Sequence, residues 1–307
     1  MPDLLPNLRL PVIAAPMFLV SNPAFANACR TAGIVGTFPA LNARTTEDLK
    51  AWCTEMDRGP TLPPWGVNLI VHRTNPRLMD DLAVLEEHRA PLVITSLGAV
   101  PDLVAKVHGW GGLVFHDVTN GHHARKAAAA GVDGIIAVAA GAGGHAGTWN
   151  PFALAAEIRS FFEGALILAG CINTGADVLA AEAMGADYAY LGTRFIATRE
   201  ANANADYKQM IVDSKVEDIV YTPAVSGIPA SFMRQSLEKA GYDMEKLKNP
   251  GDVDYGQKLK PVDEEARAWK TVWSAGQGVG TIHDVPSVAE LVDRLAAERD
   301  TAKARVR

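Results

Sequence analysis

Cysteine is scarce in this chain. Cys29, Cys53 and Cys171 have no metal-type spacing, and an odd, sparse set fits a reducing compartment better than a disulfide framework. There is no basic run and no alternation of aromatic and basic residues. With a net charge of −6, nothing points to a nucleic-acid partner. The first apolar run is broken by Pro11 and Pro16 and has no basic lead. Neither a secretion leader nor a membrane span is expected, so the expected setting is the cytoplasm, with no membrane partner.

What the chain does have is apolar residues, 48% of 307, enough for two average domains or one α/β barrel with an addition. Short apolar runs alternate with helical patterns over nearly two hundred residues. They are Pro11–Pro16, Gly33–Thr37, Trp65–Ile70, Leu92–Ser96, Gly112–Val118, Gly134–Ala139, Ala165–Gly170 and Tyr188–Thr193. Helices are expected after a cap near Ser21 or Asn22, over Thr45–Met56, Asn75–His88, from Pro101, over Ala124–Ala130, from Pro151 and over Thr174–Met184. Thr45-Thr46-Glu47-Asp48 supplies a hydroxyl cap and acids for the helix dipole. Strands this uniformly apolar are buried on both faces, as in a parallel sheet. Eight β-then-α units favour a TIM (β/α)8 barrel. An open doubly wound sheet would carry its glycine fingerprint at the first turn, which here reads Pro16-Met17-Phe18-Leu19-Val20-Ser21.

Residues 1–200 are thus read as the barrel. Residues 201–286 form a smaller, mainly helical and irregular extension over its mouth, with helices at Ala201–Lys215 and Glu264–Ser274 and no βα rhythm over 220–262. Residues 287–307 form a helix packing back on the barrel.

In such a barrel the active site lies at the C-terminal strand ends. That rule selects Met17, Asn68, Thr95 or Ser96, His116 or Asp117, His145, Gly170 and Gly192-Thr193. The sixth run ends in Gly141-Ala142-Gly143-Gly144-His145-Ala146-Gly147, one imidazole among bare backbone. Glycine loses the most entropy on ordering, so the cluster suggests a site where a ligand approaches the main chain. The seventh and eighth turns, around Gly170 and Gly192-Thr193-Arg194, are placed to bind phosphate through N–H groups, with a hydroxyl at Thr193 and a cation at Arg194. A phosphate site beside a broad, apolar mouth suggests flavin mononucleotide (FMN). Asn68 and Thr95 would bond its polar ring edge, and the Met17 backbone would meet the ring. His116 is a second candidate histidine, and His122 and His123 are read as solvated or capping. No strand-end lysine suggests a Schiff base and no pair of carboxylates a metal, so no metal site is expected.

Pro16-Met17, Gly66-Val67-Asn68, the glycine–histidine segment, Ala169-Gly170, Leu191-Gly192-Thr193-Arg194-Phe195 and Ser274-Ala275-Gly276-Gln277-Gly278 occur in one order. Over roughly residues 8–285 this resembles the nitronate monooxygenase family, formerly 2-nitropropane dioxygenases. The resemblance implies non-covalent FMN, oxidation of alkyl nitronates with O₂ and a flavosemiquinone. It places His145 on the substrate side as the catalytic residue. It puts Pro16, Met17, Asn68, Thr95, Ala142, Gly143, Gly144, Gly170, Gly192, Thr193 and Gln277 around the cofactor. Strand five ends His116-Asp117-Val118-Thr119 where many relatives carry a lysine, and Ser226-Gly227-Ile228-Pro229-Ala230 looks like a second branch of the family. Some similar proteins are NAD(P)H-dependent flavin reductases of quinone or enoyl substrates, which is the alternative reading. A non-flavin barrel, such as a phosphosugar isomerase or aldolase, is a further rival. The oligomeric state is left open, a homodimer included.

Overall fold

The computed structural model describes residues 4–59, 61–72, 74–225, 227–248 and 271–306. Eight parallel strands close into a barrel in chain order: β1 (Val12–Ala14), β2 (Val35–Pro39), β3 (Trp65–Ile70), β4 (Leu92–Ser96), β5 (Leu113–Val118), β6 (Gly134–Val138), β8 (Ala165–Ala169) and β9 (Tyr188–Leu191), with β9 returning to β1. The skipped number, β7 (Gly144–His145), lies in the loop after β6.

The helices between the strands are α1 (Pro23–Thr31), α2 (Thr46–Met56), α3 (Leu78–Glu87), α4 (Pro101–Gly109), α5 (Gly121–Ala129), α6 (Pro151–Arg159) and α7 (Gly175–Ala183). Their starts are dictated locally. Thr45 and Thr174 each accept the third helical N–H while Asp48 and Asp177 bond back to the cap. Each such cap is worth about 1 kcal/mol. Asn22, Asn120 and Asn150 cap α1, α5 and α6 through their side chains.

Two apolar layers follow from strand alternation. Val12, Val67, Leu69, Val93, Val114, Ile135, Leu166 and Ala189 pack outward against the helices. Ile13, Val35, Ile94, Phe115, Ile136, Ile167 and Tyr188 fill the barrel.

Some boundaries differ from the sequence expectation. The third helix starts at Leu78 rather than Asn75, because the Asn75 side chain is spent on a turn, donating to Ile70 O and accepting from Arg77 N. The eighth strand stops at Leu191, and Thr193–Ile196 forms a short helix, α8. The helix expected from Ala201 starts only at Ala205 (α9, Ala205–Asp213), where Asn204 caps it. In and beside the stretch expected to lack βα rhythm, β10 (Ile219–Thr222) and β11 (Ala230–Met233) form an antiparallel hairpin, followed by α10 (Arg234–Lys239) and α11 (Met244–Lys248). Ser226 and residues 264–270 of the expected Trp269-bearing helix lie outside the described residues.

The C-terminal helix α12 (Val288–Arg305) packs on α7 so closely that a Cβ on Gly175 would lie 2.1 Å from Leu295 O. No helix among the described residues is long and apolar enough to cross a membrane.

Candidate active site

One cavity of about 1380 Å³ opens at the C-terminal end of the barrel. Its wall carries Pro16, Met17, Asn68, Ala142, Gly143, Gly144, His145, Gly170, Gly192 and Thr193, bringing together residues from the loops after β1, β6, β8 and β9 and from β3 itself. Above them the wall is completed by Tyr207, Tyr221, Ile228, Pro229 and residues 272–274.

The extension reaches this wall by joining the glycine–histidine loop. His145 pairs with Ala230, and Gly144 with Ser231, so β7 becomes the third strand of the β10–β11 sheet. Ser274, 8% exposed, locks the junction: its Oγ accepts from Gly144 N at 2.6 Å and donates to Ser231 O at 2.6 Å. The Tyr221 hydroxyl donates to Ala146 O at 2.8 Å, and the Tyr207 hydroxyl to Ser274 O, with Tyr207 stacked on Trp273. Desolvation lowers the His145 imidazole to about 4, so it is neutral at pH 7.

On the opposite side the turns after β8 and β9 leave backbone bare. The amides of Gly170, Cys171, Ile172, Gly192 and Thr193 have no acceptor among the described residues. Gly170 and Cys171 hold φ of +131° and +55°, turning the chain sharply at the strand end. The Thr193 hydroxyl accepts from Gly276 N at 2.9 Å, which draws 274–278 against the cavity. There is no room for side chains here: a Cβ on Gly143 would meet Gly276 N at 2.9 Å, and one on Gly276 would meet Gly141 O at 2.6 Å.

Four expectations change. Thr95 is not on the cavity wall. It faces outward, its hydroxyl 2.7 Å from His116 Nδ1 and donating to Phe115 O, while the next residue, Ser96, faces in. Gln277 also stands off the wall: its N–H donates to Gly141 O and braces the loop from behind. The Met17 backbone is already spent, its N–H on Ser21 Oγ and its carbonyl on Asn42 Nδ2 and Ser21 N, so Met17 offers the cavity its side chain. Arg194 is buried but turned away, bonded to Asp284, and brings no charge to the bare amides.

His116 also points outward, lowered to about 4 by burial and then by His123, and reaches the cavity only at its α5 edge. His123 lines that rim, while Asn120 does the capping.

The strand-end rule named Ser96 and Asp117 only as alternatives and missed Tyr190 and Tyr221. Asn68 Nδ2 donates to Ser96 Oγ at 2.8 Å, and Ser96 Oγ to Asp117 Oδ2 at 2.6 Å. Burial pushes the Asp117 carboxyl up to about 6 against the pull of the Ser96 bond. Among the described residues no cluster of three or more His, Cys, Asp or Glu could hold a metal ion.

A family model described as nitronate monooxygenase matches residues 73–298. The nitronate monooxygenase of Paraburkholderia phytofirmans is 29% identical, the match covering 96% of this chain and 94% of that protein. FabK from Thermotoga maritima superposes with a TM-score of 0.80 at 25% identity, over 99% of this chain and 96% of that one. A nitroalkane oxidase from Streptomyces ansochromogenes shares the fold, with a TM-score of 0.80 at 24% identity over 98% and 99% of the two chains. With most of its length matched, this barrel belongs to the nitronate monooxygenase family and is a flavin-dependent oxidoreductase.

Proposed function

We propose that the cavity binds FMN and that the enzyme oxidises alkyl nitronates with O₂. The observation that carries this reading is the meeting, on one cavity, of a neutral imidazole and a row of acceptor-free amides. The residues suit the cofactor. The amides of Gly170, Gly192 and Thr193 would hold its phosphate, and Gly143 and Gly276 let the two loops beside it pack backbone against backbone. Asn68, pinned through Nδ2 to Ile94 O and Ser96 Oγ, has its Oδ1 left for the polar ring edge. Pro16, Met17, Ala142 and Gly144 supply the flanking walls. The described residues of the 201–286 extension serve as the cover, and Gln277 acts by bracing Gly141 rather than by touching the cofactor. FMN, when bound, supplies the one-electron chemistry between nitronate and O₂.

His145 supplies an N–H to the nitronate oxygens. An anion beside it favours its protonated form, which strengthens that bond. An imidazole at about 4 is a weak base for a neutral nitroalkane, so the substrate is the preformed nitronate. The β7–β11 pairing and the Ser274 clamp fix the direction from which His145 enters.

The test is the visible spectrum of the purified protein, followed by two anaerobic mixings and an oxygen-electrode assay. A bound flavin that reacts with a nitronate and consumes O₂ is expected, with preformed nitronate turned over faster than the neutral nitroalkane. Rapid bleaching by NADH with no nitronate-dependent O₂ uptake would instead establish the reductase reading.

A further inference from the structure

Strand alternation turns Asn68, Ser96, Asp117 and Tyr190 inward at the C-terminal end of the barrel, beneath the glycine–histidine loop. Their hydrogen bonds have a fixed sense. Asn68 Nδ2 can only donate, so Ser96 Oγ accepts from it and passes its single proton to Asp117 Oδ2. Oδ2 thus accepts this bond in the ionised carboxyl, which leaves Oδ1 as the oxygen open to a proton.

Oδ1 is sealed from water and has no partner among the described residues, and the same holds for the Tyr190 hydroxyl. Tyr190 reaches inward from β9, across the barrel from β5, and its phenol is raised first by burial and then by the Asp117 charge. Buried polar atoms without partners are rare and each calls for an explanation. These two are complementary in either state: a phenol can donate to an ionised Oδ1 or accept from a protonated one.

Among the described residues no cation bonds Asp117, although His123 and Lys126 line the same cavity from α5. β3 and β4 bring it Asn68 and Ser96, β6 and β8 bring Val138 and Ala169, and β9 brings Tyr190. His116 faces outward, and His145 at the mouth is held neutral by burial.

We infer that the Asp117 carboxyl, tied at Oδ2 by Ser96 and unpartnered at its buried Oδ1, stores a proton in step with the redox state of the flavin. The inference rests on the reading that FMN occupies this cavity. Reduction places negative charge in a site that already holds a carboxylate with no bonded cation and little water, which favours the neutral carboxyl. Two electrons from an external reductant and one proton give the anionic reduced flavin. A second proton from solvent forms an O–H bond at Asp117 Oδ1, and reoxidation releases it.

The experiment is potentiometric titration of the FMN-loaded enzyme and of Asp117→Asn between pH 5 and 9, with dithionite as reductant. In the wild type, reduction takes up two protons per electron pair from about pH 6, where burial sets the oxidised-state carboxyl, to the higher value it has beside reduced flavin. Above that value it takes up one. Asp117→Asn is expected to lose this extra proton, and the comparison separates Asp117 from ionisation of the flavin ring itself. A reduced-minus-oxidised infrared spectrum of wild-type enzyme carrying ¹³C-labelled aspartate needs no variant. It should show a labelled, protonated-carboxyl band appearing on reduction at pH 7. Identical slopes in the two proteins, or no such band, would overturn the inference while leaving FMN binding intact. A protein that binds no FMN would overturn the inference and the proposed function together.

Discussion

Ser274 is the most economical place to test how the extension holds the catalytic loop. Its one hydroxyl bonds the Gly144 amide and the Ser231 carbonyl, both at 2.6 Å, in a position only 8% exposed. In Ser274→Ala both groups lose that partner behind the cavity wall. Each such loss costs about 1–3 kcal/mol, so the pair predicts ~2–4 kcal/mol once some water entry is allowed. An unfolding entropy of about 2.1 cal/mol/K per residue over 307 residues makes 1 kcal/mol equal to roughly 1.5 °C. The expected fall in Tm is therefore about 3–6 °C. The assay is thermal and urea unfolding of the purified protein, with amide exchange at Gly144 as the local reading. Thr281→Ala is the control: its exposed hydroxyl donates to Gly278 O at 3.0 Å and accepts only a long bond, 3.3 Å, from Asn173 Nδ2, which keeps its shorter bond to Gly278 O, so the change should cost under about 0.5 kcal/mol. If Ser274→Ala stays within that margin and the Gly144 amide remains protected, the clamp does not hold β7 in place.

The cofactor side and the substrate side should separate by mutation. In Gly276→Ala the new methyl would lie 2.6 Å from Gly141 O and 2.9 Å from Gly143 N, backbone atoms that cannot turn aside. Displacing that loop should weaken FMN binding ~5- to 150-fold, since overpacking of this kind costs about 1–3 kcal/mol; a fluorescence titration with unchanged Kd would refute it. His145→Ala should keep FMN but lose ~10²-fold or more in nitronate turnover, and full turnover would remove His145 from the reaction. Acid should also expose the buried imidazole. Its folded value of about 4 lies below the unfolded one near 6.5, so the unfolded chain binds more protons between them. Wild-type stability falls as pH drops through that window, and His145→Gln should flatten the slope. Equal slopes from pH 7 to 4 in denaturant titrations would mean that His145 is solvated.

The barrel was legible because its strands are short apolar runs closed by glycine turns, and β–α alternation carries through eight of them. The same property hid part of the site. A strand buried on both faces has no polar–apolar alternation, so Leu92-Val93-Ile94-Thr95-Ser96 does not say by hydropathy which hydroxyl faces the barrel. Thr95 and His116 turned out to bond each other behind the wall, and Ser96 and Asp117 stand inside it. The hairpin that grips His145 was hidden for another reason: its four-residue strands pair with a segment 85 positions away, and nothing local encodes that partner.

The inward face does leave one trace in the sequence, in residue volume rather than polarity. Gly134 sits opposite Phe115, and a Cβ on it would come 2.5 Å from the Phe115 ring; one on Gly66 would come 3.1 Å from Leu92 Cδ2. A glycine on one strand beside a large side chain on its neighbour marks both as sharing the crowded barrel interior. Phe115 inside forces Asp117 inside, and Leu92 inside forces Ile94 and Ser96 inside. Gly134→Ala should therefore push Phe115 out of its place and, through the strand, disturb the Ser96–Asp117 bond at the cavity floor.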